Sequence, residues 1–303
     1  MNILVTGTSG LVGSALVPFL ASQAHAVTRL VRRAPAPGTR EVFWDPVNGV
    51  VPASLAGIDA VVHLASENIG AGRWTSARKR RIVDSRVAGT RLLARTLAGL
   101  QQPPKVMVSA SAIGYYGDRG DEILSEDSGS GSGFLADVCR QWEQAAGIVA
   151  DKGNRLVVLR LGMVLSSAGG ALRRMLPPFR LGVGGRIGRG TQYMSWIAID
   201  DLLRIILFAL TSPSLQGAVN AVAPEPVTNR DFTRTLGRVL RRPTLVWIPG
   251  IVIRLMFGEM GRQVLLSSAR VVPTRLTATG FQFRYPGLEG ALRHVLFETE
   301  TRL

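Results

Sequence analysis

The chain of 303 residues has a single cysteine, Cys139, and no long uninterrupted run of apolar residues. One cysteine cannot form a disulfide within the chain, which is typical of a reducing compartment such as the cytoplasm. The nearest candidate for a membrane span, Leu245 to Phe257, contains Pro249, Gly250 and Arg254 and is too short to cross a bilayer. No basic segment precedes the first apolar run, so a secretory signal is not expected. We therefore expect a cytoplasmic protein with no membrane partner.

Acidic residues are also scarce, since 21 of them stand against 36 basic residues, and the formal net charge is +15. The basic residues are spread along the chain, and the only tight cluster is Arg78-Lys79-Arg80-Arg81. Aromatic residues do not alternate with them in the way that stacking on bases requires. We expect a solvated basic surface, no nucleic-acid partner and no metal site, with a field that favours anionic small molecules.

Apolar runs alternate with segments of helical periodicity over the first 165 residues. Strands are predicted at Ile3 to Thr6, Ala26 to Val31, Thr39 to Val42, Ala60 to Leu64, Val106 to Ser109 and Leu156 to Leu161. Helices are predicted at Leu11 to Ala21, Trp74 to Leu100 and Phe134 to Lys152. This alternation predicts an α/β fold with a Rossmann-type doubly wound parallel sheet.

The pattern changes after Leu161, where glycines become frequent. A helix is expected from Ile199 to Leu210, a core strand at Val219 to Ala221, and a capped helix from Thr228 to about Leu240. We predict that residues 1–165 form a nucleotide-binding domain completed by about 196–222. Residues 166–195 and 223–303 are then a smaller C-terminal substrate lobe over the carboxyl ends of the strands.

Three glycines, Gly7, Gly10 and Gly13, follow the first strand and open the first helix, with Thr8, Ser9, Leu11 and Val12 between them. In a dinucleotide-binding turn the first glycine allows a tight turn, the second lets the backbone approach a pyrophosphate, and the third lets helix and strand pack closely. The helix N-terminus offers unpaired N–H groups to the phosphates. The G-x-x-G-x-x-G spacing is typical of short-chain dehydrogenase/reductase relatives.

The second predicted strand ends in Arg32-Arg33, where a site for NAD usually has an acid on the ribose 2′-hydroxyl. Two guanidinium groups favour a 2′-phosphate, so NADP(H) is predicted as the cofactor. The third long strand ends in small residues at Leu64 and Ala65, which we expect to pack beside the cofactor. His63, within that apolar strand, is interpreted as structural.

Nearly the whole chain resembles the epimerase-like subgroup of atypical short-chain dehydrogenase/reductases, the NAD-dependent epimerase/dehydratase relatives with a C-terminal domain of unknown function. The motifs that carry the resemblance include Gly7-Thr-Ser-Gly-Leu-Val-Gly13, His63-Leu-Ala-Ser-Glu-Asn-Ile69, Asp84-Ser-Arg-Val87, Ser109-Ala-Ser-Ala-Ile-Gly-Tyr-Tyr-Gly117, Leu159-Arg-Leu-Gly-Met-Val-Leu165 and Gly258-Glu-Met260. The resemblance implies an NADP(H)-binding Rossmann fold in which Arg86 and Val164 also lie near the cofactor.

The same comparison exposes a missing pair. Short-chain enzymes use a Tyr-x-x-x-Lys helix for proton exchange with substrate. With Glu143 aligned to the usual downstream acid, Leu135 replaces the tyrosine and Cys139 the lysine. The remaining candidates for catalysis are Ser111, which matches a serine or threonine that polarises substrate oxygen in relatives, and the two tyrosines that follow it, Tyr115 and Tyr116.

Three further segments have two interpretations each. Glu67-Asn68 either contacts substrate near the nicotinamide or caps its loop. The Gly182 to Gly190 loop, with Arg186 and Arg189, is either an anion-binding lid or ordinary loop packing. Asp200-Asp201 is interpreted as the N-cap region of a helix rather than as a catalytic dyad.

We therefore expect an NADP(H)-dependent oxidoreductase or epimerase-like enzyme for a small carbonyl or sugar-like molecule. The alternative is a cofactor-binding sensor or scaffold without turnover, which the missing tyrosine and lysine favour. The sequence predicts neither the substrate nor the oligomeric state.

Overall fold

Strands and helices alternate along the computed structural model, which describes residues 1–51 and 55–298. The strands are β1 (Asn2–Thr6), β2 (Ala26–Val31), β3 (Glu41–Phe43), β4 (Ala60–His63), β5 (Val106–Ala112), β6 (Ile123–Leu124), β7 (Arg155–Leu161), β8 (Met163–Leu165), β9 (Gly185–Ile187), β10 (Tyr193–Met194), β11 (Trp196–Ala198), β12 (Gly217–Ala221), β13 (Val227–Thr228), β14 (Val246–Ile248) and β15 (Arg270–Val271). The helices are α1 (Leu11–Ser22), α2 (Ser76–Ala98), α3 (Phe134–Gly147), α4 (Gly170–Arg180), α5 (Ile199–Thr211), α6 (Asn229–Leu240), α7 (Gly250–Met260), α8 (Thr274–Ala278) and α9 (Leu288–Arg293).

The central sheet has seven strands in the order β3-β2-β1-β4-β5-β7-β12, and every neighbouring pair is parallel. The chain builds outward from β1 through β2 and β3, then returns to place β4 on the other side of β1. The order therefore reverses at β1, which is where open sheets of this kind bind ligands. The predicted Rossmann-type doubly wound α/β fold is confirmed.

Both faces of the sheet are covered by helices. Because successive residues of a strand point to opposite faces, Ile3 and Val5 pack in one apolar cluster and Leu4 in another. The first cluster includes residues of α1 and α5, and the second includes Leu93 and Leu97 of α2. This burial on both faces explains the near-continuous apolar strands of the sequence.

The later part of the chain forms four small two-stranded sheets and completes the core. Strand β8 pairs with β11, β9 with β14, β10 with β13 and β6 with β15. Leu276, Leu292 and Val295 belong to the same apolar cluster as Ile3 of the central sheet. The C-terminal segments are thus packed directly against the central sheet.

Most predicted boundaries shift by one or two residues, and three of the differences are larger or have a visible local cause. Strand β5 extends to Ala112, and the edge strand covers Glu41–Phe43 rather than Thr39 to Val42, because the Thr39 N–H closes a turn onto the Ala36 carbonyl. Helix α3 ends at Gly147, a poor helix former, before a short 3₁₀ turn over Ala150–Lys152. None of the described helices combines the length and apolar character needed to cross a membrane.

Candidate functional site

The three glycines after β1 are not equivalent. Gly7 has a φ of +71°, and a Cβ atom there would lie 2.7 Å from the carbonyl carbon of Leu64. A Cβ on Gly13 would lie 2.2 Å from the Gly7 carbonyl oxygen. A Cβ on Gly10 would meet only that oxygen among the described atoms, at 3.3 Å. Packing of the protein requires the first and third glycines, whereas the second leaves an open surface.

This open surface lies at the N-terminus of α1. Gly10 is the N-cap residue and provides no side-chain cap, so the N–H groups of Leu11, Val12 and Gly13 have no partner within the helix. Thr8 and Ser9 complete the turn that leads to it. The helix dipole and the unpaired N–H groups together favour an anion at this position.

The floor beneath the turn is a buried polar chain centred on His63. Its Nδ1 lies 2.8 Å from the Thr6 hydroxyl and its Nε2 lies 2.8 Å from the Thr90 hydroxyl. The Thr6 oxygen also accepts hydrogen bonds from the N–H groups of Leu64 and Ala65, which fixes the loop facing the glycine turn. Burial lowers the pKa of His63 to about 4, so its ring is neutral at physiological pH. These contacts agree with the structural role predicted for it.

Arg32 and Arg33 have different surroundings at the end of β2. Arg33 donates a 2.7 Å hydrogen bond to the buried carboxylate of Glu41, which also pairs with Arg29 at 2.9 Å. Arg32 is exposed and forms no hydrogen bond or ion pair with a described residue, and its charge contributes to lowering the pKa of the nearby Asp45 carboxyl. Arg32 is therefore the guanidinium that is free to bind an anion.

Arg86 is a buried cation on α2. One of its Nη atoms donates a 3.3 Å hydrogen bond to the Ile82 carbonyl, and its guanidinium lies 5.0 Å from the centroid of the Trp142 ring. Burial lowers its pKa to about 10, which still leaves it charged at neutral pH. No described carboxylate forms an ion pair with it, and the charge of Glu67 acts on it only from a distance. A buried guanidinium without an anionic partner suits a site for an anionic ligand.

Val164 lies on β8, opposite Ile197 of β11 and close to the start of α4. A Cβ on Gly170 would lie 3.7 Å from the Val164 carbonyl oxygen and 3.0 Å from the Leu11 side chain. The segment from Val164 to α4 therefore packs against the first turn of α1, beside the glycine turn.

Ser111 belongs to a buried network behind this cleft. Its hydroxyl donates a 2.7 Å hydrogen bond to Glu143 of α3, and Arg160 of β7 forms two 2.9 Å hydrogen bonds with the same carboxylate. Arg160 also donates to the Tyr116 hydroxyl at 2.9 Å, which in turn donates to Asn220 at 2.7 Å. Burial opposes the charge of Arg160, but the hydrogen bonds and charge of Glu143 raise its pKa. The network joins β5, β7, β12 and α3.

The two candidate tyrosines differ in exposure. Tyr116 is fully buried, its hydroxyl is shared by Arg160, Asn220 and the Ser125 carbonyl, and burial raises its pKa. Tyr115 is partly exposed, and its hydroxyl forms no hydrogen bond with a described residue. Its ring lies 3.5 Å from the Arg160 guanidinium carbon. A proton donor must reach substrate, so this geometry favours Tyr115 of the two.

Leu135 and Cys139 lie one turn apart on α3 and face the turn after β5. A Cβ on Gly114 would contact the Leu135 side chain at 3.3 Å and the Cys139 sulfur at 3.8 Å. Cys139 is buried, and burial raises the pKa of its thiol to about 11. Neither side chain carries the ionisable groups of a tyrosine and lysine pair.

The loop that contains Glu67 and Asn68 is held by local hydrogen bonds. The Asn68 side chain accepts from the Gly70 N–H at 2.9 Å, and its carbonyl accepts from Arg78 at 2.6 Å. The Glu67 N–H donates to the Ser85 hydroxyl at 3.1 Å. These bonds fit the loop-capping interpretation for Asn68, whereas the Glu67 carboxylate is 38% exposed.

The Gly182 to Gly190 segment includes strand β9, which approaches β14 closely. A Cβ on Gly185 would lie 1.9 Å from the Val246 carbonyl oxygen. Arg186 and Arg189 form no ion pair with a described residue, so close strand packing and free cations occur in the same segment.

Asp200 and Asp201 occupy the first turn of α5, as predicted. The fully buried Asp201 accepts hydrogen bonds of 2.8 Å from the N–H groups of Arg284 and Tyr285. Asp200 lies 3.0 Å from the His294 ring. This pair therefore anchors the C-terminal segment to α5. Within residues 1–51 and 55–298, no group of His, Cys, Asp and Glu is arranged to hold a metal ion.

Arg160 and Asn220 are the polar residues that sequence reasoning missed. A charged residue within the apolar run Leu159-Arg160-Leu161 is the signal for Arg160, because arginines are rarely buried without a partner. The sequence does not indicate that the partner is Glu143, on the helix before β7.

Comparisons with known proteins agree with this geometry. The model of the NAD dependent epimerase/dehydratase family matches residues 3–222, and that of a domain of unknown function, DUF1731, matches residues 248–295. The epimerase family protein Mb2239 of Mycobacterium bovis is 43% identical over 96% of both chains. The crystal structure of human epimerase family protein SDR39U1 with NADPH has a TM-score of 0.90 at 37% identity, over 97% of this chain and 99% of that one. A nucleoside-diphosphate sugar epimerase from Corynebacterium glutamicum has a TM-score of 0.79 at 40% identity, over 98% of this chain and 58% of that one.

Proposed function

Because the chain belongs to the NAD-dependent epimerase/dehydratase family, we propose that it binds NADP(H) in the cleft beside β1 and acts as an oxidoreductase or epimerase-like enzyme. The proposed substrate is a small carbonyl or sugar-like molecule, held under the C-terminal lobe. The free, buried Cys139 agrees with a reducing compartment such as the cytoplasm.

The observation that carries the proposal is the open surface at Gly10. The backbone at Gly7 and Gly13 is closed by its own packing, while Gly10 stands free at the N-terminus of α1. A pyrophosphate there would meet unpaired N–H groups and no side chain. The human relative, solved with NADPH, supports the same use of the cleft.

Arg32 provides the preference for a 2′-phosphate. Glu41 holds Arg33, whereas Arg32 is unpaired and can form charge-assisted hydrogen bonds with a phosphate. Arg86 adds a second, buried cation that lacks a carboxylate partner. Leu64, Ala65 and Val164 supply apolar walls for the cofactor.

NADP(H) would supply hydride transfer, and the chain must then move a proton. The Ser111 hydroxyl donates a hydrogen bond to Glu143, which leaves its oxygen as an acceptor, but at 1% exposure Ser111 reaches a substrate only if the cleft opens around it. Tyr115, with its unbound hydroxyl, or an ordered water is the proposed proton donor. The sensor without turnover remains the second candidate, because Leu135 and Cys139 replace the usual proton-exchanging pair.

Arg32→Gln tests the cofactor assignment. Loss of one charge-assisted interaction is expected to weaken NADPH binding by about tenfold to a hundredfold and to leave NADH binding nearly unchanged. Fluorescence titration of both cofactors measures this. Arg40→Gln, at a nearby exposed arginine, is the matched control and should retain wild-type affinity. Equal losses for NADPH and NADH would refute the assignment.

Turnover separates the two candidate functions. A panel of carbonyl compounds is screened for saturable oxidation of NADPH by the wild type and by Tyr115→Phe, with Tyr193→Phe, at another partly exposed tyrosine, as the matched control. Activity lost in Tyr115→Phe and retained in Tyr193→Phe supports the enzyme and excludes the sensor. Tight NADPH binding with no oxidation across the panel supports the sensor instead.

A further inference from the structure

The C-terminal lobe has a continuous apolar surface that no described part of the protein covers. It consists of one side of α7, the chain through β14 and the loop after α4, and we call it the apolar face: Ile251, Val252, Leu255, Met256, Leu245, Val246, Trp247, Leu181 and Val183. Leu245 is 91% exposed, Leu181 is 78% exposed and Leu255 is 69% exposed. Exposed apolar patches of this kind on soluble domains mark binding surfaces.

Helix α7 is divided between two environments. Ile253 and Met260 are buried against the protein, whereas Ile251 and Leu255, one turn apart, point outward. The outward residues are therefore on one side of the helix, as helical spacing requires. An amphipathic helix normally has polar residues on its solvent side. The outer side of α7 is instead mainly apolar.

The parts of the apolar face are joined by direct contacts. Strand β14 pairs with β9, which follows the loop of Leu181 and Val183. A Cβ on Gly182 in that loop would lie 3.5 Å from the side chain of Pro243, which precedes Leu245. Trp247 of β14 and Arg254 of α7 also line one groove of about 700 Å³, together with residues of neighbouring loops such as Asp121, Gln192 and Ser268. The apolar face is thus one surface rather than scattered residues.

Arginines surround this surface without acidic partners. Arg180 precedes Leu181, Arg241 and Arg242 precede Pro243, Arg186 pairs with Trp247 in the β9–β14 sheet, and Arg254 is on α7. None of these five forms an ion pair with a described residue. Asp121 is the one acidic residue among those that line the groove. The rim of the apolar face is therefore strongly positive.

We propose that the apolar face docks on an anionic lipid surface. Its exposed leucines and Trp247 enter the boundary between headgroups and acyl chains, and the surrounding arginines bind lipid phosphates. A second copy of the chain fits less well, because two such surfaces would bring their unpaired arginines together. The net charge of +15 also attracts the protein to an anionic surface at longer range.

This proposal departs from the expectation of no membrane partner. That expectation rested on the absence of a membrane-spanning segment in the sequence. None of the described helices could span a membrane either. Docking needs only a short apolar surface with a cationic rim. Seven of the nine residues of the apolar face lie within Leu245 to Phe257, the segment that is too short to cross a bilayer, and Leu181 and Val183 join them from a separate loop.

Co-sedimentation with vesicles tests the proposal on the full-length protein. Vesicles of phosphatidylcholine alone are compared with vesicles that also contain phosphatidylglycerol, and binding is expected only to the second. Leu245→Ser with Leu255→Ser should lower the partition coefficient by about tenfold or more. Arg241→Gln with Arg242→Gln should lower it by about fivefold for each arginine.

Matched controls lie on exposed positions elsewhere. Ile123→Ser, at a residue 58% exposed on β6, and Arg91→Gln with Arg95→Gln on α2 should bind vesicles like the wild type. NADPH titration of every variant separates a failure of this proposal from a failure of the cofactor assignment. No binding to phosphatidylglycerol vesicles would overturn the proposal. So would a wild-type dimer in light scattering that Leu245→Ser with Leu255→Ser converts to a monomer.

Discussion

At the residue scale, Gly7, Gly10 and Gly13 share one sequence motif but have different physical requirements. Two of them are fixed by contacts within the protein, and those contacts would exist without any ligand. Gly10 has an ordinary φ of −80°, so alanine fits its backbone. The reasons left for glycine at that position are the 3.3 Å approach to the Gly7 carbonyl oxygen and ligand binding.

Gly10→Ala and Gly13→Ala should therefore affect different properties, NADPH affinity and folding stability respectively. Gly13→Ala forces a Cβ onto the Gly7 carbonyl and should lower the free energy of unfolding by about 2 kcal/mol or more. Gly10→Ala places a Cβ 3.3 Å from the Gly7 carbonyl oxygen, so it should cost much less stability than Gly13→Ala, and the added methyl group should weaken NADPH binding by about tenfold because it blocks close approach of the pyrophosphate. Urea unfolding and fluorescence titration measure the two quantities. Equal stability of the two variants would contradict the assignment of roles.

His63 gives a pH dependence with a definite sign. Burial lowers its pKa to about 4 in the folded protein from the ordinary 6.5 of a solvated histidine, so the unfolded state takes up a proton first as pH falls. The contribution is full above pH 6.5 and is lost toward about pH 4, with a total of about 3 kcal/mol. His63→Asn should unfold more easily at pH 7.5 but lose less stability between pH 6.5 and 4.5. The free energy of unfolding is measured by urea unfolding at each pH. If its dependence on pH is the same in His63→Asn as in the wild type, His63 is not the group responsible.

At the scale of elements, local patterns predict most strands and helices, because apolar alternation and turn residues act over a few positions. Helix α6 is an example, since Thr228 caps it through the Asp231 N–H as the sequence predicts. The Ser111 network is different. Tyr116 and Asn220 are 104 residues apart, and only the order of strands in the sheet brings them together. The fold and the glycine turn were thus predictable, whereas the partner of each buried polar group was not.

The Glu143–Arg160 pair holds α3 against β7, and removal of one partner leaves the other charge buried. Glu143→Leu and Arg160→Leu should each lower the free energy of unfolding by about 3–5 kcal/mol. The double variant should lose clearly less than the sum. Arg293→Leu, which breaks an exposed ion pair with Glu289, is the control and should cost under about 1 kcal/mol. Urea unfolding of the wild type, the two single variants and the double variant gives a double-mutant cycle. Strict additivity of the losses in unfolding free energy would mean that Glu143 and Arg160 are not coupled.

At the scale of the whole molecule, the central sheet and the C-terminal segments share one apolar cluster. Strand β12 completes the sheet only after the chain has formed β8 to β11 and α4 to α5. Asp201 then holds the backbone at Arg284 and Tyr285. The lobe is therefore not an appendage on a finished nucleotide-binding domain.

Calorimetry should accordingly show one cooperative unfolding transition for the full chain. A chain that ends at residue 222 loses Leu276, Leu292 and Val295 from the cluster and should not fold alone. Circular dichroism and protease digestion of that truncated chain check this. A folded truncated chain, or two separate calorimetric transitions, would show that the lobes are independent.

Cys139 has one more consequence. Its sulfur is enclosed between α3 and the turn at Gly114, and its raised pKa keeps it protonated, so thiol reagents cannot attack it in the closed protein. It becomes reactive only when α3 separates from the end of β5. The rate at which a thiol reagent alkylates Cys139 therefore reports how often α3 separates from the end of β5.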